Sequence, residues 1–280
     1  VIRRDADLHV HTTHSDGACS PREVVVAAAQ VGLAALAITD HDTVSALPDA
    51  RDEAARLGVE LVPGVELTCE YEGREVHLLG YFFRDHPDLT AAVDRLRAER
   101  VGRFAAMAAK LGELGLVVDL TALRRCFPRA VLGRRHLAEY LFRTKQTQTV
   151  REAFDRFLAD GKPACVVKER LDAFEAIALV RAAGGVVSWA HPPFNLKLES
   201  LRTLTGAGLG AIETAGPGIQ NRVGRRFRDW AEILDLVPTA GSDFHAPDRP
   251  GRRVGAVATP DADLERLRGR ATGPPGPASA

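Results

Sequence analysis

The stretch DLHVHTTHSDG, residues 7–17, sets three histidines and two aspartates on and just beyond one short apolar strand. In an extended chain side chains alternate between faces, so His9 and His11 share one face while Leu8 and Val10 take the other. Two imidazoles placed this way can hold one cation. The loop Thr12–Gly17 then carries a carboxylate, Asp16, back over the same strand end, where it is a natural ligand for a neighbouring ion. Ser20-Pro21 follows, a helix cap with proline at the first helical position, and an apolar helical stretch from Val24 to Val31 runs to a stop at Gly32. Strand, loop with ligands, helix: this is a βα unit.

The same rhythm recurs along the chain. Strands are expected at 36–39, 60–67 and 76–81, the last two separated by the turn Glu72-Gly73, with a helix at 46–57 ended by Gly58. Further strands are expected at 186–190, 211–214 and 237–240, near helices at 172–183 and 222–234. That makes about seven strands in an α/β fold. Between residues 88 and 166 strand signals nearly vanish, and Val93, Leu96, Phe104, Met107, Leu111 and Leu114 recur at helical spacing, interrupted by Arg100. The domain reading is therefore a discontinuous barrel, 1–87 and 167–270, with a helical insertion at 88–166. A Pro/Gly-rich tail, 271–280, is expected to be disordered.

Composition narrows the function. The 280 residues are 45% hydrophobic, enough for a full core, and 37 basic residues balance 37 acidic ones, so no general field draws the chain to duplex DNA. The arginines at 124, 125, 129, 134 and 135, and at 222, 225, 226 and 228, read mostly as solvated helix faces. No apolar run reaches the roughly 18 residues of a membrane span, and Val1-Ile2-Arg3-Arg4 lacks a signal peptide's apolar core, so a cytoplasmic protein without membrane partners is expected. Cys19, Cys69, Cys126 and Cys165 are too scattered for a disulfide framework or thiolate zinc site.

The histidines carry the functional signal. Six of nine stand at strand ends beside acids: His9 and His11, His41 in TDHD (39–42), His77 after Val76, His191 in SWAHP (188–192) and His245 in GSDFH (241–245), with Glu66 closing PGVE (63–66). Barrels of βα units gather chemistry at the C-terminal strand ends, so residues remote in sequence can meet there. Buried core histidines do not recur at six equivalent places by chance.

Through DLHVHTTHSDG, ITDHDT (38–43), PGVE, AHP (190–192) and GSDFH, in order and across nearly the whole chain, the sequence resembles the PHP (polymerase and histidinol phosphatase) superfamily of metal-dependent phosphoesterases. It is most similar to stand-alone bacterial members whose helical insertion carries a GRxH segment, here Gly133-Arg134-Arg135-His136, among them nucleoside 3′,5′-bisphosphate phosphatases, some of which trim short RNA from the 5′ end. The resemblance implies a distorted (β/α)7 barrel. It implies His9, His11, Glu66 and Asp243 around one metal, Asp16, His41 and His191 around a second, and Glu66 bridging to a third that also takes His77 and His245.

Imidazole and carboxylate ligands without thiolate suit two or three ions of manganese, iron or zinc, with manganese favoured here. A hydroxide bridging such ions can attack phosphorus, and the excess positive charge would draw a phosphate locally. Arg134 could grip a phosphate and His136 could donate a hydrogen bond or protonate the leaving oxygen, or both merely begin a helix. Arg135 is expected to face solvent. Asp7 and Asp40 could orient ligand imidazoles or cap strand ends. Asp42 reads as a helix cap, Glu213 as a rim residue that could touch substrate, Trp189 as packing, and His14 and His86 as solvated. The substrate expected is a small nucleotide, best a nucleoside 3′,5′-bisphosphate, or short single-stranded 5′-phosphorylated RNA. The alternatives are a small metabolite such as histidinol phosphate, a proofreading exonuclease (disfavoured without a polymerase domain or basic stripe), and a non-catalytic metal-binding module.

Overall fold

The structure, a computed structural model, describes residues 5–128, 130–168, 170–247 and 251–271; the expected disordered tail from 272 onward and Arg129 lie outside them. Among the described residues, seven strands run in the order β1 (Ala6–Val10), β2 (Ala35–Ile38), β3 (Glu60–Tyr71), β4 (Arg74–Tyr81), β6 (Val186–Trp189), β7 (Ala211–Ala215) and β8 (Val237–Ala240), while the two-residue β5 (Leu171–Asp172) pairs with β3. The sheet nearly closes: Val10 bridges Phe244, just beyond β8, and His11 N donates to Phe244 O at 2.9 Å. The result is the distorted seven-stranded α/β barrel that the family resemblance implied and the strand count fits.

The distortion has a local cause. Between Tyr71 and Arg74, which are paired, only Glu72 and Gly73 remain, both with positive φ (50° and 70°), and this two-residue turn sends β4 back antiparallel to β3. β4 also runs antiparallel to β6, whereas the remaining pairs on the path are parallel. In a regular barrel a helix would stand between each pair of strands. Here the missing crossover brings His77 to the same mouth as the ligands on parallel strand ends.

The first helices follow their sequence signals. α1 (Pro21–Gln30) starts with a Ser20/Glu23 capping box, and α2 (Leu47–Leu57) stops at Gly58 in the left-handed region. Helices α3 (Pro87–Glu113), α4 (Leu120–Cys126), α5 (Arg134–Arg143) and α6 (Val150–Ala153), with a π-helical turn at Phe154–Leu158, fill the segment before β5. Two cores meet along α3. Its first half gives Leu89, Val93 and Leu96 to the barrel cluster, and its second half gives Phe104, Met107 and Leu111 to a separate cluster with Leu123, Leu137 and Leu141. Arg100, the break in the apolar stripe, sits at the crossover between them. Leu114, expected in the stripe, is exposed beyond the helix end.

Among the described residues four more helices follow: α7 (Ala173–Ala182), α8 (Leu198–Gly206), α9 (Asn221–Ile233) and α10 (Asp261–Arg270). The four cysteines are free, and no helix of the described residues is long and apolar enough to cross a membrane.

Candidate metal centre

Every strand end singled out in the sequence reaches one mouth of the barrel. His9 projects from β1 and His11 follows it, both fully buried; Glu66 lies within β3 and His77 within β4; His41 follows β2, His191 follows β6, and Asp243 and His245 follow β8. Close backbone approach makes this convergence possible. A side chain on Gly241 would put its Cβ 2.4 Å from His9 Cβ, and one on Gly17 would lie 2.5 Å from His11 O, so both places require glycine. His191 and Asp243 carry positive φ (30° and 46°), a conformation that turns each side chain off its strand and into the mouth.

The donor atoms face one another. His9 Nε2 and His11 Nε2 are 3.2 Å apart, and Glu66 Oε2 stands 3.3 Å from the first and 3.1 Å from the second. Asp243 Oδ1 is 3.7 and 3.4 Å from the same two nitrogens. Ligands about 2.1 Å from a tetrahedral ion lie about 3.4 Å from one another, so these four atoms have the spacing of a coordination shell. Two further groups adjoin. Asp16 Oδ1 faces His245 Nε2 at 3.4 Å, His11 Nδ1 at 3.8 Å and His41 Nε2 at 4.0 Å. Glu66 Oε1 faces His77 Nδ1 at 2.7 Å and His191 Nε2 at 3.2 Å, and Oε2 faces His41 Nδ1 at 3.2 Å.

This grouping differs from the one the family resemblance implies. His245 stands with Asp16 and His41, and His191 with Glu66 and His77, so the two histidines exchange places. The physical reason is the closure of the barrel: Ala18 N donates to His245 O at 2.6 Å, which draws the loop after β8 over the Asp16 loop.

The residues fit divalent ions on chemical grounds. Burial would raise the carboxyl of Glu66, but the imidazoles of His41, His9 and His77 outweigh it and hold it well below the ordinary carboxylate range. Asp16 and Asp243 are likewise anionic against their burial, through His245 and His41 in one case and His11 and His9 in the other. The buried Nδ1 of His41 makes no hydrogen bond, and lone pairs pointed at one another in a dry site call for a cation between them. Three overlapping groups (His9, His11, Glu66; His11, Asp16, His41, His245; His41, Glu66, His77) each could hold an ion.

A second set of residues fixes the first. Glu213 on β7 is buried; its Oε1 lies 2.9 Å from His9 Nδ1, and its Oε2 accepts from the backbone N of the strained His191. A proton on Nδ1 leaves the His9 Nε2 lone pair free to face the cluster. His245 Nδ1, 3.0 Å from Asp243 O, is set the same way, and Arg252 holds Asp243 Oδ2 at 2.6 Å, leaving Oδ1 to the imidazoles. Glu213, which the sequence left as a rim residue that could touch substrate, thus orients His9 and His191. Of the two roles expected of Asp7 and Asp40, strand-end capping is the one seen, since Ser242 N lies just beyond β8 and Thr12 N just beyond β1. Asp7 accepts from the backbone of Ser242, Gly255 and His9, and Asp40 from Thr12 and Ser15, so both staple ligand-bearing loops. His14 is also no solvated residue: it bonds Ser45 at 2.9 Å.

The helical segment forms the other wall. A cleft of about 270 Å³ opens on Asp16, His41 and His77 and is lined opposite them by Arg100, Arg103, Arg134, Arg135, His136 and Lys168. Asp42 is no helix cap. Its buried carboxylate accepts from Thr68 and from Lys168 Nζ at 2.8 Å, with Arg100 Nη1 at 3.6 Å, and against burial these cations bring its pKa to about 2. Arg100 was visible in the sequence only as an interruption, and Lys168 carried no signal. Arg134 pairs with Asp160 at 2.8 Å and Arg135 with Glu139 at 3.1 Å. His136 is buried beneath the cleft, and its Nδ1 accepts from Gly133 N at 2.9 Å. Burial lowers its pKa to about 4, so it is neutral near pH 7 with its proton on Nε2. In that form it can donate a hydrogen bond from Nε2.

Comparisons agree with this geometry. Residues 7–93 match the PHP domain family. The chain is 35% identical over 247 residues to a 5′-3′ exoribonuclease of Haemophilus influenzae, covering 86% of this chain and 90% of that one. It is 33% identical over 259 residues to a 3′,5′-nucleoside bisphosphate phosphatase of Chromobacterium violaceum, covering 89% and 90%. The crystal structure of a Bifidobacterium adolescentis protein assigned as a metal-dependent phosphoesterase superposes with a TM-score of 0.88 at 28% identity over 96% of each chain. Shared fold, shared sequence along nearly the whole length and a mouth full of imidazole and carboxylate donors lead to one conclusion: this chain belongs to the PHP family and is a metal-dependent hydrolase of phosphate esters.

Proposed function

We propose that the chain hydrolyses nucleoside 3′,5′-bisphosphates, with one phosphate at the ligand cluster and the other in the cationic cleft. The observation that carries this reading is the cleft wall: Arg100, Arg103, Arg134 and Lys168 face a cavity that opens directly on Asp16, His41 and His77. One phosphate dianion needs no such wall in addition to the metal site. A second, anchored some distance away, does. Histidinol phosphate suits the site less well, since its ammonium group would meet a wall of like charge.

In this reading His9, His11, Glu66 and Asp243 hold one ion, Asp16, His41 and His245 another, and Glu66, His77 and His191 complete the set. When bound, such ions supply Lewis-acid charge stabilisation and an activated water. The protein's own residues do the rest. Arg134 can exchange exposed Asp160 for a phosphate oxygen, Lys168 and Arg100 line the same cleft, and the Nε2–H of His136 donates to whatever oxygen sits beside it. If the 5′-phosphate occupies the cleft, the 3′-phosphorus faces the cluster. That phosphorus can belong to a monoester or to the first linkage of an RNA chain, so one geometry serves both substrates.

A panel of adenosine 3′,5′-bisphosphate, histidinol phosphate and short 5′-phosphorylated RNA tests the assignment. The highest kcat/KM is expected for the bisphosphate, and a preference for histidinol phosphate would overturn it.

A further inference from the structure

A second cavity leaves the ligand cluster on another side. It encloses about 440 Å³, shares only Glu75 and His77 with the cationic cleft, and reaches His191, Pro193, Asn195 and Lys197 of the loop after β6. Between Pro193 and Asn195 that loop presents Phe194, 74% exposed. The loop is not loose, however. Arg226 on α9 donates through Nη2 to Phe194 O, and its guanidinium lies over the Trp230 ring at 5.0 Å.

α9 follows the rim end of β7, so its first turns stand beside this loop. Arg222, Arg225 and Arg226, at i, i+3 and i+4, share one face of it, with Asp229 one turn further from the rim. Among the described residues Lys197, Arg222 and Arg225 make no ion pair, and all three are exposed. Exposed cations without an ion pair and a bare aromatic ring thus lie on the loop after His191 and on the helix that Arg226 ties to it.

We infer that this track, Phe194 with Lys197, Arg222 and Arg225, binds the 3′ continuation of a single-stranded RNA whose 5′ end lies in the cationic cleft. Stacking on an exposed ring and phosphate contacts from flanking cations are the two elements of sequence-tolerant single-strand binding. The inference rests on the nucleotide reading above. The cleft takes the 5′-phosphate, the linkage after the first nucleotide faces the ligands, and the rest of the chain leaves past His191 and over Phe194.

The test is the length dependence of binding. Fluorescence anisotropy of the metal-loaded protein with cleavage-resistant, 5′-phosphorylated phosphorothioate RNA compares a hexamer with a dinucleotide. The wild type is expected to bind the hexamer at least about tenfold more tightly, since one stacked base contributes about 1–3 kcal/mol, or about 5- to 150-fold. Phe194→Ala should collapse that ratio by about fivefold or more. Arg222→Gln/Arg225→Gln should also lower it and reduce the slope of log K against log salt by about 1.4, two lost phosphate contacts at about 0.7 each. Equal affinity for both lengths in the wild type, or variants that keep both the ratio and the slope, would overturn the track. Failure to hydrolyse the bisphosphate while the length dependence persists would instead sink the substrate assignment. A flat ratio with normal bisphosphate turnover would sink the track alone.

Discussion

Two walls face the same cleft and are held by opposite means. On the barrel side His9, His11 and Glu66 are buried, with His9 set by Glu213 and the flanking loops fixed by Asp7 and Asp40. On the helical side Arg134 holds Asp160 through a pair whose side chains are 31% and 77% exposed, and Arg135 holds Glu139 one turn away. Such surface pairs are worth only a few tenths to about 1 kcal/mol. The barrel wall is thus fixed by buried partners, as a site for closely spaced ions requires. Arg134 on the helical wall can trade a weak protein partner for a phosphate, while Arg100 and Lys168 stay on buried Asp42.

The largest expected effect lies on the barrel side. Glu66→Gln removes the carboxylate that all three groups share or touch, and turnover should fall on the order of 10³-fold or more, with loss of bound metal by elemental analysis. Retention of metal and activity would erase the distinction between the walls. His136 tests the opposite boundary, because it belongs to the helical wall yet is buried like a ligand. Its folded pKa of about 4 lies below its ordinary 6.5, so the unfolded chain binds the extra proton between those values. Its contribution to stability is complete above pH 6.5 and is lost as pH falls towards 4, by about 3 kcal/mol. Urea unfolding at pH 7.5 and 4.5 should show a steeper acid loss for the wild type than for His136→Ala, and parallel profiles would show that the imidazole is not held neutral.

Glu213→Gln sharpens the comparison within the barrel. It keeps shape but removes the charge that orients His9, and metal affinity should fall about 10- to 100-fold while the fold survives. Metal titration checks this, and an unchanged affinity would reduce Glu213 to packing. The smallest effect is expected from Arg134→Ala, about tenfold in KM for the bisphosphate with kcat nearly kept, as befits an anchoring contact remote from the reacting phosphorus. A fall in kcat with unchanged KM would move Arg134 into the chemistry.

How legible each wall was in the sequence follows from how it is held. The barrel strands and all nine candidate ligands were readable because alternation places His9 and His11 together and because strand ends share one rim. The antiparallel turn at Glu72-Gly73 was visible as a turn, but its effect on the position of His77 depends on which strands pair. The placing of His245 beside Asp16, with His191 beside Glu66, goes with a loop contact at Ala18 that no local pattern encodes. On the helical wall Arg100 appeared only as a flaw in an apolar stripe, and Lys168 lies in a stretch without periodicity. Their partner, Asp42, was misread as a cap because its pairing with residues 58 and 126 positions away is a property of tertiary structure alone. Glu213 was seen at the rim, but whether a strand-end acid faces substrate or a ligand's far nitrogen is decided by packing.

The most direct test of the account is to strip the protein with chelator and titrate manganese back while following phosphate release from adenosine 3′,5′-bisphosphate. Stripped protein should be silent, and activity should return with two or three ions bound per chain. Full hydrolysis by protein shown by elemental analysis to be free of metal would contradict it.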